Sequence, residues 1–375
     1  MIVGVTGLGA MGLGIAQVFA QAGHPVRATD AAPAVRDSAR DRMAAALAPR
    51  VEKGAMGADE RDAILARLTV CDGPAGLSGA GLVVEAVVER LDVKRAVLAA
   101  IEDAVGPDTV LATNTSSLSV GAVAATLRHP ERLVGLHFFN PAPVMRLVEL
   151  VAHAGSSPAA LDRARAATEA AGKVVVGAPD RPGFIVNRCA RPFYGEALAM
   201  LEEGRTPADI DAAMLAGGYR MGPFSLIDLV GADVNLAATE AIHAAMDRHP
   251  RYHVFGSLAV RVADGRLGRK SGFGFVFPGQ PGAPPPDAAA IVARIEATLA
   301  NEAAFLLAEG TVSRADVDTA VRLGLNFPRG PFEVLAREGR DTIRGRLAAL
   351  AAEAPPHLRG RYDPAPAIAA DGGPA

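Results

Sequence analysis

The sequence has little cysteine: Cys71 and Cys189 are the only two in 375 residues. That excludes a disulfide framework and makes a soluble protein of a reducing compartment, the cytoplasm, the expectation. There is no excess of one charge. A formal net charge of -3 gives no basic field for nucleic acid and no polybasic surface for membranes, so neither is an expected partner. No uncharged apolar run approaches the length that spans a bilayer. The first residues lack the charged, then apolar, then small-residue order of a signal peptide. What is abundant is apolar surface. Hydrophobic residues make up 50% of the chain, enough to bury the cores of two or three domains.

Strand-like and helical patterns alternate over residues 1–181. Strands are expected at 2–5, 26–29, 82–85, 110–112, 133–136 and 174–176, with helices at 11–21, 93–105 and 158–171. Alternation of this kind predicts a parallel sheet covered on both faces. GLGAMG, residues 7–12, follows the first strand and opens the first helix. Each glycine has a mechanical role in a dinucleotide cradle. Gly7 permits the tight turn, Gly9 lets the backbone approach a pyrophosphate, and Gly12 lets helix pack on strand. The helix N-terminus offers N–H groups to the phosphates. Asp30, ending the second strand, suits the ribose hydroxyls and repels a 2′-phosphate, which favours NAD over NADP. The glycines alone do not separate NAD from FAD.

From residue 182 the pattern turns helical, as far as 277. PGQPGAPPPD, within 278–288, reads as a linker. The chain then repeats itself. EALAMLEEGRTPADIDAAM from Glu196 is answered by EAAFLLAEGTVSRADVDTAV from Glu302, and MGPF at 221–224 by RGPF at 329–332. A second copy of the helical unit is expected over 289–350, and a loosely held tail over 351–375. The predicted fold class is thus an α/β Rossmann-type dinucleotide-binding domain followed by an all-α domain and a second, repeated all-α unit.

Four polar islands can carry chemistry: 114–117 after the strand at 110–112, 135–150, 182–188 and 269–272. Residues at the C-terminal ends of parallel strands face the ligand crevice. Hydride transfer needs a group to exchange the hydroxyl proton, and the pKa of histidine suits it. His137, with Glu149 on its other ring nitrogen, is a candidate dyad. Ser116 and Asn187 are candidates to hold the reacting oxygen. Each has a plainer alternative: a structural histidine, a turn or cap at 114–117, an ion-pair partner for Arg146 at Glu149. His243, His249 and His253 have no carboxylates or cysteines in ligand spacing, and no metal is expected.

These islands resemble the L-3-hydroxyacyl-CoA dehydrogenases, including the 3-hydroxybutyryl-CoA dehydrogenases. The resemblance runs from residue 1 to about 277. It rests on GLGAMG, VVEAVVE (83–89), NTSSL (114–118), GLHFFNP (135–141), PVMRLVE (143–149), PGFIVNR (182–188), MGPF and GRKSGFGF (268–275). It implies reversible, NAD-dependent oxidation of an L-3-hydroxyacyl thioester to the 3-ketoacyl thioester. His137 would be the base, Glu149 its orienting carboxylate, and Ser116 and Asn187 the groups on the substrate oxygen. Asp30 would bind ribose. Glu89, Lys94, Asn114 and Lys270 would lie around NAD, and Lys53 near the CoA phosphates. Thr6 departs from the family, which usually has an apolar residue there. The second helical copy is similar to one carried by longer relatives. It is expected to pack on the first as an intrachain pseudo-dimer, with homo-oligomers left open. Two enzyme alternatives stand beside this: a dehydrogenase of a non-CoA hydroxy acid, similar to the gulonate dehydrogenases related to lambda-crystallin, and one acting on a carrier-protein-bound thioester. A non-catalytic NAD-binding structural protein is the alternative from another class.

Overall fold

The computed structural model describes residues 1–310 and 312–370. The chain divides into two compact units, Met1–Arg181 and the residues from Pro182 on. Among the described residues no helix is long and apolar enough to cross a membrane.

The first unit is one eight-stranded sheet in the order β3-β2-β1-β4-β5-β6-β7-β8. The strands are β1 (Val3–Thr6), β2 (Val26–Thr29), β3 (Leu68–Val70), β4 (Leu82–Glu85), β5 (Val110–Thr113), β6 (Leu133–Phe138), β7 (Leu147–Ala152) and β8 (Val174–Pro179). Short apolar runs become strands because both faces are covered, and β1, β4, β5 and β6 are buried along their whole length. Ile15, Val18 and Phe19 of helix Ala10–Gln21 pack into the core that contains Val3, Val5 and Val84. The order reverses at β1, which pairs with β2 on one side and β4 on the other. That switch point is where open α/β sheets bind ligands.

Two strands were not expected from the sequence. Leu68–Val70 is three residues long, too short to show a period. Leu147–Ala152 changes the topology: β7 runs antiparallel to β6, and β8 parallel to β7. The sheet is therefore mixed rather than wholly parallel. The physical reason is connection length. Residues 139–146 between β6 and β7 are too few for the dozen or so that a parallel crossover takes.

The second unit is helical, and its two copies are built alike. Helices Val186–Glu202, Pro207–Ala216, Pro223–Val230 and Ala232–Ala245 are followed, after 278–287 without helix or strand, by Ala288–Ala308, Arg314–Leu325, Pro331–Glu338 and Arg340–Glu353. The same local physics recurs in each. The Thr206 hydroxyl accepts from the Asp209 N–H, and the Ser313 hydroxyl from the Asp316 N–H. Asp211 accepts from the Phe224 N–H at 2.9 Å, and Asp318 from the Phe332 N–H at 2.8 Å.

Between the copies the ion pairs are reciprocal. Glu196, in the first, accepts from Arg361 Nε (2.7 Å), Arg294 Nε (3.1 Å) and the Tyr362 hydroxyl (3.2 Å), all C-terminal to residue 288. Glu302, in the second, accepts from Arg188 Nε (2.7 Å), Arg251 Nε (3.0 Å) and the Tyr252 hydroxyl (2.5 Å), all from the first. This corrects the expectation of a loose tail. Arg361, Tyr362, Ala365 and Ile368 are buried, and the Asn301 side chain bonds to the backbone of Asp363 and Ala365. The tail is held because Arg361 and Tyr362 supply Glu196 with partners; residues 371–375 lie outside the described residues.

Candidate active site

The glycine turn has the shape a dinucleotide requires. Gly7 has φ +89°, and a Cβ on it would meet the Ala86 carbonyl oxygen at 2.5 Å. A Cβ on Gly12 would fall 1.7 Å from the Gly7 carbonyl oxygen. Gly9 faces open space, with nothing within 4 Å of an added Cβ. It is the N-cap of helix Ala10–Gln21, which has no side-chain cap, so the first N–H groups are left for an anion. Asp30 stands beside the turn: its Oδ2 accepts from the Leu8 N–H at 2.7 Å and its Oδ1 from the Ala32 N–H at 2.9 Å. Two tight glycines, one open one, an uncapped helix start and a carboxylate fit the phosphates and ribose of NAD. Thr6 is accommodated in β1, buried, with its Oγ1 unpartnered among the described residues.

The C-terminal ends of β4 and β5 carry a linked set of charges. Lys94 Nζ lies 2.8 Å from Glu85 Oε1 and 3.1 Å from Glu89 Oε2, and its side chain is 1% exposed. Glu89 Oε1 accepts from the Thr115 hydroxyl (2.7 Å), the backbone N–H of Ser116 (2.8 Å) and the hydroxyls of Ser116 (3.3 Å) and Ser117 (3.1 Å). Burial pushes the Glu89 carboxyl up, but the Lys94 ammonium and these donors outweigh it and hold it below the usual range. The Lys94 ammonium, buried between two carboxylates, orders Glu89.

His137 and Glu149 come from adjacent antiparallel strands and are register partners. Directly opposed residues put their side chains on the same face. His137 Nδ1 is 2.7 Å from Glu149 Oε2, with Glu149 wholly buried and His137 6% exposed. Phe139 packs on the imidazole, centroids 4.5 Å apart. Asn114, following β5, accepts the Phe138 N–H on its Oδ1 at 2.8 Å and so ties the end of β5 to the residue beside His137. A carboxylate on Nδ1 fixes the tautomer and supports an imidazolium, leaving proton exchange to Nε2.

Asn187 and Lys270 belong to the second unit. Asn187 is in the first turn of helix Val186–Glu202 and is half-buried. Lys270 is exposed and its Nζ lies 2.7 Å from Asp233 Oδ2. Lys53 caps the C-terminus of helix Ala39–Glu52 and is exposed. Two acidic residues escaped the sequence reading. One is Glu85. The other is Asp228, whose carboxylate accepts the N–H groups of Phe275, Val276 and Phe277 and so shapes the GFGF end of the 268–275 motif. Their signal was a carboxylate inside an apolar stretch, where an unpaired one is too costly to bury.

Comparison with known proteins agrees over the whole chain. The family model "3-hydroxyacyl-CoA dehydrogenase, NAD binding domain" matches residues 2–181. "3-hydroxyacyl-CoA dehydrogenase, C-terminal domain" matches 183–277 and again 291–369. A 3-hydroxyadipyl-CoA dehydrogenase of Escherichia coli (strain K12) is 43% identical over 72% of this chain; the match spans 58% of that enzyme's own length. A 3-hydroxybutyryl-CoA dehydrogenase of Mycobacterium tuberculosis (strain H37Rv) is 42% identical over 73% of this chain and 96% of its own. The crystal structure of a 3-hydroxybutyryl-CoA dehydrogenase from E. coli K12 superposes with a TM-score of 0.91 at 33% identity, covering 98% of this chain and 97% of that one. With cradle, dyad and both helical copies accounted for, the chain belongs to the 3-hydroxyacyl-CoA dehydrogenase family and is an NAD-dependent oxidoreductase.

Proposed function

We propose that the protein interconverts a short-chain L-3-hydroxyacyl-CoA and the 3-ketoacyl-CoA. The observation that carries this is the 2.7 Å contact of His137 Nδ1 with buried Glu149. His137 Nε2 takes the 3-hydroxyl proton during oxidation and returns it during reduction. Glu149 stabilises the imidazolium that forms. Ser116 and Asn187 hold the substrate oxygen and stabilise charge developing there. Bound NAD supplies the hydride acceptor. Gly7, Gly9 and Gly12 seat its phosphates and Asp30 its ribose, with Glu89, Lys94, Asn114 and Lys270 around it. Lys53 is assigned to the CoA phosphates. The 3-hydroxybutyryl-CoA and 3-hydroxyadipyl-CoA relatives support a CoA thioester of short chain. The reciprocal partners of Glu196 and Glu302 support the second helical copy as an intrachain pseudo-dimer partner.

The test follows NADH absorbance with 3-hydroxybutyryl-CoA, 3-hydroxyadipyl-CoA, gulonate and a carrier-bound hydroxyacyl chain. CoA substrates are expected to turn over with the highest kcat/KM. His137→Gln should lower kcat by about 10² to 10⁴-fold with NADH binding retained. Preference for gulonate or the carrier would move the assignment to that substrate. Turnover surviving in His137→Gln would remove the base, and no turnover with any substrate would favour a binding protein.

A further inference from the structure

We propose that Glu85 is a positioning residue for the Ser116 hydroxyl, acting through Lys94 and Glu89; this rests on Ser116 holding the substrate oxygen. Glu85 ends β4 and is wholly buried. Each of its oxygens is committed. Oε1 accepts from the Val87 N–H and from Lys94 Nζ, both at 2.8 Å, and Oε2 from the Thr113 hydroxyl at 2.7 Å. Glu85 is therefore the fixed end of the chain of contacts and sets where the Lys94 ammonium sits.

Lys94 in turn sets Glu89. One ammonium serves two carboxyl groups, so the cation is shared. Glu89 is the more exposed partner, with a side chain 36% accessible against 0% for Glu85. Its Oε2 is anchored by Lys94. Its Oε1 is offered donors from Thr115, Ser116 and Ser117, including the Ser117 N–H at 3.1 Å, more than an oxygen's two lone pairs can satisfy well. In such a crowd small shifts of the acceptor redistribute the donors. The Ser116 hydroxyl, at 3.3 Å, is the longest of these Oε1 contacts and so the one Glu89 holds least firmly. In Glu85→Gln, Lys94 is drawn toward Glu89, Oε1 moves, and the Ser116 hydroxyl loses its aim. The backbone of the glycine turn takes no part in these bonds.

A double-mutant cycle on kcat tests this, since residues acting through one another give non-additive effects. Glu85→Gln keeps the shape and removes the charge. It is expected to lower kcat about tenfold in the otherwise native enzyme and less than about twofold in a Ser116→Ala background. NADH affinity, read from the fluorescence of bound NADH, should fall by less than kcat does, since Glu89 is assigned to the cofactor as well as to Ser116. Thr113→Val, which deletes only one bond to Glu85, should show a smaller loss with the same dependence on Ser116, and decides the matter should Glu85→Gln not fold. Equal fold-losses in both backgrounds, or a parallel loss of NADH affinity, would overturn the proposal, because Glu85 would then merely support the cradle. Ser116→Ala with native kcat would instead remove the assignment of Ser116 and the proposal with it. An impaired Ser116→Ala enzyme with additive losses removes the proposal alone.

Discussion

Glu196 and Glu302 occupy equivalent places in the two helical copies, and each takes an Arg–Tyr pair, 361–362 or 251–252, from the opposite copy. Each copy thus supplies the other's buried glutamate with the same two residue types. Glu302→Ala removes the buried one of the two carboxylates at 2.7 Å from Arg188, whose side chain is 1% exposed, and leaves only the more accessible Glu309. Burial works against the Arg188 charge, and it is chiefly Glu302 that holds its pKa above the ordinary arginine value. The expected loss is about 3–5 kcal/mol by chemical denaturation. Glu196→Ala should cost a similar amount; a silent variant at either position would break the equivalence.

The cradle glycines should separate folding from cofactor binding. Gly12→Ala puts a methyl 1.7 Å from a backbone oxygen and should destabilise the first unit strongly. Gly9→Ala meets nothing in the protein and keeps a φ of -63° that alanine accepts. Its melting temperature should match the native one while NADH affinity falls about tenfold or more, the methyl taking the space of the pyrophosphate. Native NADH affinity in Gly9→Ala would place the phosphates elsewhere.

Thr6 and Thr29 pair in register on β1 and β2, and both hydroxyls are buried without partners among the described residues. Thr6→Val replaces the hydroxyl with a methyl of similar size and relieves one unmet group. A gain of about 1 kcal/mol is expected in urea unfolding. A loss would mean that a water or ligand group meets the Thr6 hydroxyl.

Asp211 contributes a pH dependence to the helical unit. Burial pushes its carboxyl up to about 6, against the pull of the Ser225 and Phe224 bonds. The folded state therefore holds the proton more tightly than the unfolded chain. The stability this confers is full below the unfolded value near 3.8 and is lost as pH rises toward 6. Between those limits the change is roughly 3 kcal/mol. Asp211→Asn should flatten stability across pH 4 to 6, measured by denaturation at several pH values; an unchanged slope would assign the effect to another group.

Most of the fold was legible where residues obey a period. The glycine turn, the strands ending at Thr29 and Glu85 and the repeated Asp–Gly-Pro-Phe signals could be read directly because local chemistry dictates them. Leu147–Ala152 was read as part of a chemical island, since its strand character comes from pairing with β6 rather than from its own pattern. The hold on Arg361 and Tyr362 was invisible for a similar reason: their partner, Glu196, lies 165 and 166 positions away. The pairing of His137 with Glu149 is expected from the resemblance; spacing alone leaves it open, because it depends on strand register. Glu85 was overlooked although it stands inside a quoted motif; its importance comes from Lys94 and Thr113, which only the fold brings to it.

The antiparallel turn of β7 has a consequence for how the acid–base pair can vary. Side chains along a strand alternate faces, so sliding β7 by one residue against β6 would swing Glu149 to the far side of the sheet and bring Val148 or Leu150 opposite His137. The loop 139–146 is tied down by other means: Phe139 lies on the imidazole, and Lys173 Nζ holds the carbonyls of Ala142 and Met145. The carboxylate is thus delivered by the ladder and the aromatic wall by the loop, so a change that spares the register can alter the wall of the histidine while leaving its carboxylate in place.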